Sequence, residues 1–254
     1  MLDVVDVSKS YRGVPAVRTL TLAAKPTQVV GLLGPNGSGK STTVKMLVGL
    51  LRPTRGVISW RGTDIQQQLL DYQRIVGYVP EEPRLYTYLT APEYLELVGG
   101  LRDIGHATLR QRIKRYLELF GLEHDVYAPM SAFSKGMRQK VLISAALLHD
   151  PDILVFDEPN SGLDVASSLI LRRMVQTLAR RGKIIIYSSH LMDIVEKVCD
   201  DVVILHNSHV VAHDSVTRLR ELAQVGSLEQ VFAALAVDQD VNRIGDELAT
   251  VSAS

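Results

Sequence analysis

Apolar residues in this chain gather in short runs set between stretches of helical periodicity. Residues 2–7, 28–33, 75–79, 153–156, 184–187 and 202–205 are rich in Val, Ile and Leu, the pattern of short strands with little room for solvent-facing side chains. Several follow a helical segment, which predicts an α/β fold built on a mostly parallel sheet. A helix-like run covers 42–51. After Asp164, Ile170, Met174, Val175 and Leu178 recur at helical spacing with Arg172, Arg173 and Arg180 between them, so a long helix is predicted to lead into the strand at 184–187. Residues 210–212 read as a second strand paired with 202–205 around a turn at Asn207-Ser208.

Between Pro83 and Asp150 the strand pattern disappears. Ile113, Tyr116, Leu117 and Phe120 repeat at helical spacing with Arg112, Lys114 and Arg115 among them, and Pro80, Pro83, Pro92 and Pro129 punctuate the entry and middle of the stretch. The expected organisation is an α/β core formed by 1–83 and 151–236, an inserted helical subdomain at 84–150, and a polar, flexible tail at 237–254.

Composition narrows the class. With 254 residues and 46% hydrophobic content the chain can bury a large core. Lys plus Arg and Asp plus Glu each number 28, so no global field draws it to nucleic acid or to an anionic membrane; no nucleic-acid partner is expected, and a membrane role requires specific docking. No apolar run approaches the roughly 18–20 residues of a bilayer-spanning helix, and Met1-Leu2-Asp3 lacks the start of a signal peptide, so a cytoplasmic protein is expected. Cys199 is the single cysteine, which excludes an internal disulfide; its apolar neighbours at helical spacing make it a packing residue.

The chemistry begins at Gly34-Pro35-Asn36-Gly37-Ser38-Gly39-Lys40-Ser41, placed between the strand at 28–33 and the helix that opens at Thr42. This is a phosphate-binding loop in its proper context. Glycines let successive backbone N–H groups wrap a polyphosphate while the helix presents its positive end, Lys40 reaches the outer phosphates and Ser41 ligates magnesium. A second site decides the class: the apolar run 153–156 ends in Asp157-Glu158, at the strand end where α/β sheets bind ligands. Asp157 is positioned to hold magnesium through water, and Glu158 to act as general base on the attacking water.

Three further pieces follow in order: Ser134-Lys135-Gly136-Met137-Arg138-Gln139 opening a helix, Ser161-Gly162-Leu163-Asp164, and Ser188-Ser189-His190 closing a strand. With them the chain resembles the ATP-binding cassette (ABC) ATPases over residues 2–235. The resemblance implies a phosphate-loop NTPase core with an N-terminal antiparallel β part and an inserted helical subdomain. It also implies ATP and Mg2+ as cofactors, and two cassettes joined head to tail around two nucleotides. Ser134 and Gly136 then donate hydrogen bonds to the γ-phosphate held by the partner, His190 positions the attacking water or Glu158, Asp164 signals across the dimer, and Tyr11 stacks on adenine. Two positions depart from the usual pattern. Glu81, in Tyr78-Val79-Pro80-Glu81-Glu82-Pro83, stands where a glutamine touching the metal and the attacking water is common. Lys135 replaces a second glycine of the signature, where it either aids phosphate binding or, as expected, faces solvent.

His206, His209 and His213 lie within eight residues of one another and are read as solvated strand-end histidines rather than zinc ligands. The single short cassette, without heptad runs or a second motif set, fits a transporter subunit at the cytoplasmic face of the membrane. Its partners are then a membrane permease subunit and a second cassette. The Glu81 loop, the signature and the segment Ser227-Leu228-Glu229-Gln230-Val231-Phe232 are similar to bacterial drug, sodium or polysaccharide exporters with separate ATPase chains. The rival reading is a soluble cassette that clamps a protein or nucleic-acid partner. A GTPase is disfavoured because no Asn-Lys-x-Asp element appears.

Overall fold

The computed structural model describes residues 1–82 and 85–236; the expected junction at 83/84 and the tail at 237–254 lie outside them. In chain order the elements are β1 Leu2–Tyr11, β2 Val14–Ala24, β3 Val29–Leu33, α1 Lys40–Leu47, β4 Arg55–Trp60, β5 Thr63–Asp64, α2 Leu69–Arg74 and β6 Val76–Val79. Next come α3 Ala91–Gly100, α4 His106–Leu119, α5 Lys135–Leu147, β7 Ile153–Asp157, α6 Val165–Arg180, β8 Ile184–Ser189, α7 Met192–Val198, β9 Asp201–His206, β10 His209–Ser215, α8 Val216–Ala223 and α9 Leu228–Ala236.

One ten-stranded mixed sheet organises the chain in the order β5-β4-β1-β2-β10-β9-β3-β8-β7-β6. Strands β9, β3, β8, β7 and β6 pair in parallel, and the runs in β3, β7 and β8 are buried at every position. β1, β2, β4 and β5 pair antiparallel, and β2 meets β10 through the single pair His209↔Arg18. The two halves enclose α1. Its Val44, Met46 and Leu47 share one core with Leu2, Val4 and Leu20 from the antiparallel part and with Leu32, Val155 and Ile186 from the parallel part. The loop preceding α1 is therefore held by both halves of the sheet.

Between β6 and β7 the chain forms helices α3, α4 and α5, which surround a core of their own that includes Leu95, Leu109, Ile113, Leu117 and Val141. Leu109, Ile113 and Leu117 follow one another at four-residue spacing, the buried stripe of α4; Arg110, Lys114 and Arg115 are exposed, whereas Arg112 turns inward to donate to the Leu148 carbonyl. A capping box starts α3: the Thr90 hydroxyl accepts from the Glu93 N–H and the Glu93 carboxylate from the Thr90 N–H. Arg102 ties this helical stretch to α2 and to the edge strand β6 by donating to the carbonyls of Gln73 (2.6 Å) and Val76 (3.4 Å). Cys199 is buried against α7 and β3, a packing residue whose thiol pKa is pushed up by burial.

Candidate functional site

β3 ends in a loop whose crest, Pro35-Asn36-Gly37, is exposed while Ser38 and Lys40 turn inward. Gly39 has φ +109°, and a β-carbon there would stand 2.5 Å from the Ala16 carbonyl oxygen of β2, so only glycine lets the loop pass this close to the strand. α1 starts immediately afterwards without a side-chain cap; its first internal bond runs from Thr43 N–H to Gly39 O (2.9 Å). The N–H groups of Lys40, Ser41 and Thr42 therefore point out of a positive helix end. A cleft of about 270 Å³ opens there, lined by Ala16, Asn36, Gly37, Gly39, Lys40, Ser41, Thr42, Glu81 and Glu158.

Lys40 Nζ donates to the carbonyls of Gly34 (2.7 Å) and Pro35 (3.1 Å) and lies 3.9 Å from Glu158 Oε1. Burial lowers the pKa of its ammonium, and the carboxylates of Glu158, Asp157 and Glu81 oppose that shift. Asp157 ends β7, in register with Ser188 of β8. Burial raises its pKa, the Ser188 and Ser41 hydroxyls pull it down, and Glu81 and Glu158 raise it again. Its Oδ1, with Ser38 Oγ and Thr43 Oγ1, is buried with no protein hydrogen bond. The unpartnered Asp157 Oδ1, on a carboxylate that the Ser41 hydroxyl also reaches, suits a hard cation, and the outward N–H groups with Lys40 suit a phosphate chain. Among the described residues no group of three or more His, Cys, Asp and Glu could hold a metal ion. That is compatible with Mg2+, which takes one or two carboxylates and completes its shell with phosphate and water.

Glu158 sits in left-handed backbone (φ +49°), a strained setting for a glutamate, and its N–H donates to Ser188 O at 2.9 Å. Its side chain is buried. Oε1 faces His190 Nδ1 at 2.8 Å and Oε2 accepts from the Ser189 hydroxyl at 3.2 Å.

The second group of expected site residues stands apart from this cleft. Ser134 caps α5, its oxygen accepting from Met137 N–H at 3.1 Å, which leaves its own hydrogen free to donate. Lys135 is exposed, yet its ammonium donates to Ser161 Oγ at 2.5 Å and its methylenes lie over Gly162. Gly136 packs against the Gly162 carbonyl. Asp164 caps α6 through Ser167 N–H (2.8 Å) and Oγ–H (2.7 Å), and those bonds hold its carboxyl below the usual range. Ser134, Lys135, Gly136 and Asp164 thus form one surface with Ser161 and Gly162, and none of them lines the cleft. Tyr11 is also outside the cleft lining. It is 47% exposed where β1 turns into β2, with Lys9 Nζ 5.5 Å from its ring centre.

Sequence reasoning missed Ala16, Ser189 as a partner of Glu158, Gln139, whose buried amide donates to Pro159 O (3.2 Å), and Asn160, which donates to Tyr187 OH (2.7 Å). Both bonds hold the two residues that follow Glu158. A polar residue at a position where the α5 periodicity calls for an apolar one was the available signal for Gln139. His206 ends β9 and exposed His209 opens β10, the expected strand-end positions, but His206 is not solvated as expected: its Nδ1 is buried and its ring stands edge-on to Phe232 at 5.9 Å; His213, exposed, lies within β10 rather than at its end.

A family model described as "ABC transporter" matches residues 17–161. The ABC transporter ATP-binding protein NatA of Bacillus subtilis is 37% identical over 242 residues, covering 93% of this chain and 98% of that protein. The Nod factor export ATP-binding protein I of Ralstonia nicotianae is 34% identical, covering 85% and 69%. A solved ATP-binding subunit of an ABC transporter superimposes with TM-score 0.86 at 34% identity, over 92% of this chain and 99% of that one. A bacterial ABC transporter cassette solved as a dimer has the same fold, with TM-score 0.78 at 24% identity over 85% and 98%.

Proposed function

The chain belongs to the ABC transporter family, as an ATP-binding subunit with ATPase activity, and on that footing we propose that it drives an exporter by pairing head to tail with a second cassette. The observation that carries this reading is the separation of the two groups of site residues. The phosphate loop, Glu81 and Glu158 share one cleft, whereas Ser134, Lys135 and Gly136 engage residues 161–162. Each surface lacks what the other offers, so a second copy or a related cassette completes both.

In the proposed site the α1 N-terminus and Lys40 bind the phosphates of ATP, with Gly34, Pro35, Asn36, Gly37, Ser38, Gly39, Ser41 and Thr42 forming the cradle. Ser41, Asp157 and Glu81 hold Mg2+, which neutralises phosphate charge when bound. The Ser134 hydroxyl and the N-terminus of α5 face the γ-phosphate of the partner's nucleotide, with Gly136 keeping that approach open and Lys135 adding charge beside it. Glu158 takes the proton of the attacking water, and His190 holds the carboxylate oxygen that receives it. Tyr11 supplies the face for the base, and Asp164 relays the state of one site to the other. The helical stretch 84–150 moves as a subdomain against the core of 1–83 and 151–236, and closure drives the membrane partner.

A membrane permease is the proposed partner, and an exposed apolar rim on the described chain supports that reading. Among the described residues no helix is long and apolar enough to cross a membrane. Exposed Leu50, Leu70 and Leu101 rim a cleft of about 480 Å³ floored by Val76 and Tyr78, at the seam where Arg102 joins the helices to the sheet. Export is supported by a relative named as a Nod factor export ATP-binding protein, and a place at the cytoplasmic membrane face is part of the same proposal. Affinity purification of the tagged chain from detergent-solubilised membranes of its own cell tests the reading. A stoichiometric polytopic protein is expected, lost on Leu101→Glu; recovery only with a non-membrane partner overturns the transporter and leaves a soluble clamp.

A further inference from the structure

We infer that Ser189 is a positioning residue for hydrolysis, holding one oxygen of Glu158 so that the other faces the reaction. The inference rests on reading Glu158 as the general base. Ser189 is 1% exposed at the end of β8. Its oxygen accepts from Leu191 N–H at 3.1 Å, which occupies a lone pair and directs its own hydrogen to Glu158 Oε2 at 3.2 Å. Backbone and side chain of Glu158 are thus both tethered to β8, the first through Ser188 O and the second through Ser189.

The tether matters because Glu158 has two cationic or protic neighbours on its other oxygen. Oε1 lies 2.8 Å from His190 Nδ1 and 3.9 Å from Lys40 Nζ. With Oε2 released, rotation of the carboxylate toward the lysine draws the base into a closer ion pair and away from the histidine and the attacking water. The strained φ of Glu158 fits a residue whose placement is enforced from outside. The Ser189 hydroxyl is a neutral donor, so it orients the carboxylate without neutralising it, as the lysine does.

Steady-state ATP hydrolysis by the full-length chain tests this. Ser189→Ala is expected to lower kcat by about ten- to a hundred-fold, the scale of a misplaced catalytic group. KM for ATP is expected to stay within about two-fold, because the phosphate cradle is untouched. Ser189→Thr, which keeps the hydroxyl, restores most of the rate. Should Ser189→Ala fail to fold, Ser189→Cys preserves the volume with a weaker donor and shows the same loss of kcat. A kcat within about two-fold of wild type in the Ala or Cys variant overturns the inference, as does a loss that Thr does not restore and that raises KM in proportion. Glu158→Gln run in parallel separates the two layers. If it is inactive while Ser189→Ala is normal, only the positioning role falls; if it turns over at the wild-type rate, the base assignment falls as well.

Discussion

A β-carbon built on Gly136 would stand 2.4 Å from the carbonyl oxygen of Gly162. The start of α5 is therefore in backbone contact with the loop that follows Glu158, and Lys135 reinforces that contact by reaching Ser161. In the proposed dimer this contact joins the surface offered to a partner's nucleotide with the turn that carries Glu158, the proposed general base. Gly136→Ala is expected to push the 161–164 loop away, costing about 1–3 kcal/mol as an overpacked contact and abolishing ATP-dependent pairing. Urea unfolding and size-exclusion chromatography with Mg-ATP check the two parts. Unchanged pairing would show that the contact is incidental.

Asp157 supplies a pH-dependent test. Burial raises the pKa of its carboxyl in the folded chain, so the charged form destabilises the nucleotide-free protein at neutral pH. That cost fades as the pH falls through the folded pKa. Asp157→Asn is expected to raise Tm at pH 7.5, by about 2–4 °C for each kcal/mol relieved, with the gain closing as the pH approaches the ordinary carboxylate range near about 4. The same variant loses Mg-dependent turnover. Calorimetry across pH and an ATPase assay measure both.

His149 has the opposite pH dependence. Its Nε2 lies 3.1 Å from the Val76 carbonyl, where burial, followed by the charge of Arg102, lowers its pKa to about 4. The ring is neutral in the folded chain and protonates readily once unfolded, so the stability it contributes is present above about pH 6.5 and is lost as the pH falls toward about 4. The loss amounts to about 1–2 kcal/mol after allowing for its partial exposure. His149→Gln keeps a donor for Val76 and is expected to flatten that part of the stability profile, read from urea midpoints at pH 7.5 and pH 5.

Much of this was legible in the chain. The phosphate loop, Asp157-Glu158 and Ser189-His190 could be read from local sequence because each stands at the end of a strand whose apolar run is continuous. Strands β2, β4 and β5 were not among the strands read from the pattern. β2 alternates only over Leu20, Leu22 and Ala24; before them Arg18 and Thr19 are both exposed at a register shift that separates Val17 by three residues, so no continuous period of two runs along the strand. The first helix was placed at 42–51 and instead spans Lys40–Leu47. Gly49 adopts φ +73°, and Gly49 N–H and Leu50 N–H turn back to Met46 O and Lys45 O, a left-handed stop that outweighs the apolar Leu50 and Leu51. The Ser189–Glu158 bond depends on a register between strands 31 residues apart, and no local pattern encodes it. The same holds for the separation of Ser134 and Gly136 from the cleft, which follows from how α5 packs.

In the proposed cycle two cassettes close around ATP, and hydrolysis assisted by Glu158 reopens them. Light scattering of the Glu158→Gln chain with and without saturating Mg-ATP tests it most directly. A 28.0 kDa monomer is expected without nucleotide and a particle of twice that mass with it, with almost no phosphate release and loss of the dimer when Ser134→Phe is added. A chain that stays monomeric at saturating Mg-ATP, or that releases phosphate at the wild-type rate, would contradict it.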